Sequence, residues 1–174
     1  MTLLQQVYLY IEENRILTAE WQALFAADLR KDGIILSVLS GEEWDNRCDA
    51  LTNSTSYAEK NFIFVTDCEE KAVRTAEKGH PVLGCLHNKN RHRAFDGVRY
   101  LTEPEGFTAD YLDKVYRRNV GIPWQILETS RCIVRETTPE DVDAFYKIYA
   151  DASITQYMEN LFADKADELR YVEQ

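Results

Sequence analysis

Phe62-Ile63-Phe64-Val65-Thr66-Asp67-Cys68-Glu69-Glu70 is the stretch on which the fold turns. Phe62–Val65 is too short for a helix and too uniformly apolar for a strand with one wet face, which is how a strand buried on both faces reads. Thr66-Asp67 closes the run. Cys68–Lys78 then reads as a helix that Gly79 stops, because glycine accepts the left-handed conformation common at helix ends. The unit recurs on both sides. Upstream, Gly33 opens Ile34–Leu39, again read as a strand buried on both faces, followed by Ser40-Gly41, a helix over Glu42–Leu51 and a polar loop at Asn53–Ser56. Downstream come a third strand at Pro81–Leu86, a fourth at Val98–Leu101 and an amphipathic helix at Thr108–Arg118. Parallel strands need crossovers of this length, so the alternation predicts an α/β fold over residues 1–122, a small Rossmann-like three-layer sandwich with a parallel sheet.

The flanks read differently. Leu3, Leu4, Val7, Tyr8 and Ile11 repeat at helical intervals, as do Trp21, Leu24, Phe25, Asp28 and Leu29 with one polar exception, so the first thirty residues read as helix with an interruption at Asn14-Arg15. Gly121-Ile122-Pro123-Trp124 breaks the α/β pattern and marks a boundary, leaving 123–174 as a linker and a second segment. Arg131–Arg135 there reads as a strand. Thr138-Pro139-Glu140-Asp141 has the form of a helix start, with Thr138 as N-cap and proline at the first helical position. Val142, Phe145, Tyr146, Ile148 and Tyr149 continue that helix, and Ile154–Leu161 and Asp164–Glu173 read as further helical stretches. Tyr146, Tyr149 and Tyr157 suit packing against a sheet better than a binding cage.

The 174 residues fit one ordinary domain or two small ones, and 45% hydrophobic with 29% charged residues is a globular balance that excludes disorder. Thirty acidic against 20 basic side chains give a net charge of −10, which repels phosphate backbones and anionic lipid and argues against nucleic acid as a partner. No apolar run approaches the ~20 residues of a membrane helix, and Glu12, Glu13, Arg15 and Glu20 exclude a secretory signal near the start. Cys48, Cys68, Cys85 and Cys132 have no C-x-x-C spacing, which predicts buried, reduced thiols, no metal site and a cytoplasmic protein.

Open α/β sheets place their chemistry at the carboxyl ends of the strands, so Ser40, Thr66, Asp67, His87 and Asn88 are the residues expected to line a ligand crevice. Asp67 has two readings. One is a phosphohydrolase-like carboxylate, although a nucleophile of the haloacid-dehalogenase sort has a second aspartate two residues on, where Glu69 stands. The other is a helix N-cap with Glu70 completing a capping box. His87, Lys89, Arg91, His92 and Arg93 form a basic island that could hold an anion or form a solvated loop. No two of the seven glycines are two residues apart, which excludes G-x-G-x-x-G and the P-loop. No serine elbow, H-E-x-x-H or spaced His–Cys pair offers a catalytic residue.

Arg131-Cys132-Ile133-Val134-Arg135-Glu136-Thr137-Thr138-Pro139-Glu140-Asp141-Val142-Asp143 resembles the opening of a GNAT-superfamily N-acetyltransferase domain: a strand bearing R-x-x-(apolar)-R, a short turn, an acidic pair and the first helix. Phe145-Tyr146-Lys147-Ile148-Tyr149 and Ile154-Thr155-Gln156-Tyr157-Met158 resemble that family's first two helices. The resemblance covers about residues 127–174, while residues 1–126, with Val115-Tyr116-Arg117-Arg118 and Pro123-Trp124, look like the α/β extension that precedes the domain in some bacterial members. It implies acetyl transfer from acetyl-CoA to an amine. The family's Q/R-x-x-G-x-G/A loop grips the pyrophosphate through closely approaching backbone amides, which needs glycine. No glycine follows Gly121. The expectation is therefore the front part of an acetyltransferase, with acetyl-CoA serving the longer protein, none binding this chain, and no catalytic residue carried over. The alternative is a self-contained Rossmann-like binding or regulatory module. The strand at Arg131–Arg135, deprived of its family neighbour, is expected to recruit the first domain's sheet edge or a second copy, giving a homodimer through residues 125–174.

Overall fold

The structure, a computed structural model, describes residues 2–53, 61–149, 151–157 and 164–172. It divides into two compact units, residues 1–122 and 123–174. The first is an α/β unit with a five-stranded parallel sheet, consistent with a Rossmann-like fold. In chain order its elements are β1 (Gln6–Tyr10), α1 (Ala19–Lys31), β2 (Ile35–Val38), α2 (Gly41–Asn53), β3 (Phe62–Thr66), α3 (Glu69–Glu77), β4 (Val82–Cys85), β5 (Leu101–Thr102) and α4 (Ala109–Asn119). The sheet order β2-β1-β3-β4-β5 puts the topological switch between β1 and β3, where the crossovers diverge to opposite sides.

Strand alternation sorts the core into two layers. Val7, Leu9, Ile63, Val65, Leu83 and Cys85 pack with Phe25 and Leu29 of α1 and with Leu112, Val115 and Tyr116 of α4. Tyr8, Phe62, Phe64 and Val82 pack on the other face with Trp44, Cys48 and Leu51 of α2 and Ala72 of α3. Gly84 has a steric reason. A Cβ there would run into the Leu101 side chain and lie 3.1 Å from the ring of Phe95, so any larger residue would require both side chains to shift where the β4–β5 connection closes over the sheet. Phe95, 1% exposed, is held at φ +50, a conformation that bulky residues rarely adopt.

The helical reading of Leu3–Ile11 is overturned: Gln6–Tyr10 is β1, hydrogen-bonded to β2 on one side and to β3 on the other. Two buried carboxylates fix the chain at either end of this strand. Asp113 Oδ1 accepts from the Leu3 and Leu4 amides at 2.8 and 2.7 Å. Asp67 accepts from the Glu12 and Glu13 amides at 2.6 and 2.8 Å. Both anchors lie far away in sequence, so a local period could not reveal them. β2 is likewise not buried on both faces. It is an edge strand, with Ile35 63% and Val38 52% exposed. The fourth strand shrinks to Leu101–Thr102, and Val98–Tyr100 lies outside it.

The second unit contains β6 (Gln125–Glu128), β7 (Ile133–Arg135), α5 (Val142–Tyr149), α6 (Ala152–Thr155) and α7 (Lys165–Val172). β6 has no counterpart in the sequence reading. It pairs antiparallel with β7 across an irregular register, so the strand at Arg131–Arg135 does not lack a neighbour. The hairpin turn is closed by the Thr129 hydroxyl, which accepts from the Arg131 and Cys132 amides. The segments 54–56, 158–161 and 173 of the expected loop and helices lie outside the described residues. Among the described residues, no helix is long and apolar enough to cross a membrane.

Candidate functional site

The carboxyl ends of β1, β3 and β4 bring together Glu12, Glu13, Thr66, Asp67, His87 and Asn90, at the switch point where an open sheet of this order takes ligands. Asp67 is 1% exposed. One carboxylate oxygen accepts from Glu12 N–H, the other from Glu13 N–H, and His87 Nε2 lies 3.3 Å from the second. The N-cap reading of Asp67 is therefore wrong. Cys68 occupies the cap position of α3, and Asp67 reaches across to the loop after β1 instead.

The Lys89 amide points at His87 Nδ1 from 3.2 Å, so that nitrogen is the acceptor and Nε2 carries the hydrogen donated to Asp67. Neither ring nitrogen is left for a substrate. Asn90, 2% exposed, completes the clasp. Its side-chain amide donates to the carbonyls of Asp67 and Cys85 at 3.0 and 2.8 Å, and its carbonyl oxygen accepts from His87 N–H at 2.8 Å. The ends of β3 and β4 are thereby tied through one side chain. Burial pushes the neighbouring Cys85 thiol up to about 12, with the charges of Asp67 and Glu105 adding to the effect.

The remaining expected residues disperse into local roles. Thr66 is buried and its hydroxyl accepts from Cys68 N–H. Ser40 exchanges bonds with Glu43 at the start of α2, its amide donating to the Glu43 carboxylate and its hydroxyl accepting from the Glu43 amide. Asn88 is exposed, and Asn90, two residues on, is the asparagine that enters the site. Glu69 accepts from the Ala94 and Phe95 amides, which explains a glutamate at that position without catalysis.

The lysine and both arginines of the basic island are ion-paired: Lys89 with Glu13, Arg93 with Glu12 and Arg91 with Glu103. The Lys89 bond holds the Glu13 carboxyl below its usual range. Electrostatically the island closes the loop after β4 onto the loop after β1. Cys48, Cys68 and Cys85 are buried thiols, whereas Cys132, expected to be buried, is exposed on the hairpin. No group of three His, Cys, Asp or Glu side chains suited to a metal occurs among the described residues.

Sequence reasoning reached Asp67 and His87 through topology and missed Asn90, Glu12 and Glu13. Glu12-Glu13 directly after an apolar run was the available signal, hidden by reading that run as helix. Comparison with protein-family models, with curated proteins and with solved structures finds no match to this chain.

In the second unit, Arg135 at the end of β7 forms two parallel bonds to Asp141, Nη1 to Oδ2 at 2.7 Å and Nη2 to Oδ1 at 2.8 Å. Asp141 also accepts from the Thr138 amide at 2.9 Å and completes a capping box ahead of α5, with Pro139 at the first position. The Arg135 bonds, then the Thr138 amide, push the Asp141 carboxyl well below the ordinary range.

Proposed function

We infer that this chain is the front part of an acetyl-CoA-dependent N-acetyltransferase acting on an amine, in which residues 1–122 form a non-catalytic α/β module. The observation that carries the reading is the Arg135–Asp141 junction: a strand is locked by a two-bond ion pair to a capped helix start, and helices α5, α6 and α7 follow in order. That succession agrees with the strand, turn and helices of the acetyltransferase opening that residues 131–158 resemble. The sealed switch point supports the non-catalytic assignment. Asp67 and His87 spend their hydrogen-bonding capacity on the Glu12, Glu13 and Lys89 amides, so a ligand there would have to break the clasp that ends β1.

The glycine-dependent grip on pyrophosphate has no residues to form it after Gly121. Residues 1–174 alone are accordingly inactive in this reading. The test is to express the natural reading frame to its stop codon beside residues 1–174, and to follow coenzyme A thiol release with a panel of primary amines. Turnover by the longer product and none by the shorter is the expected result. Turnover by residues 1–174 alone, or a stop directly after Gln174, overturns the reading.

A further inference from the structure

We propose that His80 is an acid-released latch: its neutral ring fastens the last turn of α2 to the turn between α3 and β4, and its protonation frees that last turn while the sheet stays formed. The imidazole sits where three elements meet. Its Nε2 lies 2.8 Å from the Thr52 hydroxyl and 3.1 Å from the Cys48 carbonyl, both on α2, and its ring packs on Phe62 and Phe64 of β3. The Thr52 hydroxyl already donates to the Cys48 carbonyl at 2.8 Å, so its oxygen is left to accept and Nε2 carries the hydrogen. The neutral ring therefore serves both α2 groups with one N–H. The His80 amide donates to the Thr75 carbonyl at 3.2 Å, which ties the latch to the end of α3.

The last turn of α2 has little else to hold it. Asp49, Ala50, Thr52 and Asn53 are exposed, Leu51 is the residue of that turn that enters the core, and no basic side chain there balances the carbonyl end of the helix. The Lys78–Asp49 ion pair also crosses to α2, but an exposed pair of this kind contributes little. The charges around the ring are Lys78 on its own turn, with Asp49 on α2 and Arg74 on α3 beside that lysine. Phe62 and Phe64 on β3 bring none, and burial keeps the Cys48 thiol neutral. Burial, the largest influence on His80, opposes the charged ring, the Cys48 carbonyl favours it and Lys78 opposes it, which leaves the pKa lowered. A ring released into water takes up the proton more readily. Acid therefore draws the latch open as pH falls through about 6.5, the ordinary histidine value, and the latch is fully closed above it.

The experiment is native-state hydrogen exchange of the full chain at pH ~7.5, ~6.5 and ~5.5, corrected for intrinsic exchange rates, with and without sub-denaturing urea. The Leu51, Thr52 and Asn53 amides are expected to open locally, faster than those of Val65 and Leu83 and with little dependence on urea, and to lose protection by about threefold or more from the highest pH to the lowest. His80→Gln should abolish that pH response. Thr52→Val, which removes an acceptor but nothing that titrates, should lower protection at every pH and keep the response. Exchange of the last turn only by global unfolding, protection that does not fall with pH, or a response that survives in His80→Gln overturns the proposal. If His80→Gln fails to fold, the ring in the unaltered chain decides: local opening that does not follow the titration of the His80 NMR signals rejects the latch.

Discussion

Residues 1–122 and 123–174 are both built from strands and amphipathic helices, and they treat apolar side chains in opposite ways. In the first unit Val7, Leu9, Ile63, Phe64, Val65 and Leu83 are wholly enclosed, the three inner strands β1, β3 and β4 each contributing to both layers of the core. In the second, Ile126, Leu127, Ile133 and Val134 of the hairpin are exposed, and Val142 is the one buried hydrophobic residue among those described. Packing carries the first unit, because helices cover both faces of its sheet. The second is held in its described part by local polar geometry: a turn closed by a hydroxyl, a capping box and the ion pair of Arg135 with Asp141.

The largest effect that could break this contrast comes from Phe64. Its ring packs 4.7 Å from Trp44 and 5.2 Å from Tyr8, centroid to centroid, so Phe64→Ala should cost about 3–5 kcal/mol in urea unfolding. A loss below about 1 kcal/mol would mean that the first unit is not held by packing.

Next comes the clasp. Asp67→Ala leaves two backbone donors and His87 without their acceptor, and should cost about 3 kcal/mol. Asp67→Asn keeps the shape but turns a donor toward a donor, and should cost less. Amide exchange should speed up at Glu12 and Glu13 in both variants while Thr138 is unaffected. Equal acceleration in the second unit would join what the contrast separates.

Acid should distinguish the units more gently. His80, packed against Phe62 and Phe64, has its pKa lowered chiefly by burial. As pH falls through about 6.5 the unfolded chain takes up this proton before the folded one does. The stability from neutral His80 is thus complete above that pH and declines toward the lower folded pKa. Asp141 is also shifted down, but as a carboxylate its contribution is lost only below about 3.9. Urea midpoints at pH ~7.5 and ~5.5 should therefore fall for the first unit alone, and His80→Gln should flatten the difference.

The smallest effect is expected on the hairpin. Ile126→Thr and Ile133→Thr remove apolar groups already in water and should each shift stability by no more than about 0.5 kcal/mol. A loss of 2 kcal/mol or so would show that the hairpin carries a packed face after all.

The inner strands were legible because β3 and β4 are buried on both faces and read as continuous apolar runs. β1 reads as helix because Leu3, Leu4, Val7, Tyr8 and Ile11 satisfy a helical period, while Val7–Ile11 is equally a continuous apolar run of strand length, and only partners far along the chain break the tie. β6 was missed because Gln125-Ile126-Leu127-Glu128 is short and directly follows a proline and a tryptophan that read as linker. At the candidate site, topology pointed to Asp67 and His87, but not to what their side chains do. That depends on which backbone amides arrive beside them.

The order of buried strands and helices, the positions of their stops and the capped start at Thr138 follow from local chemistry, which the sequence by itself determines: apolar burial, glycine and proline geometry, and hydroxyl capping. Tertiary structure alone decided that residues 6–10 are a strand, that β2 is an edge, and that Asp67 closes the switch point. Each of these turns on hydrogen bonds between residues dozens of positions apart, and only the folded chain brings those donors and acceptors together.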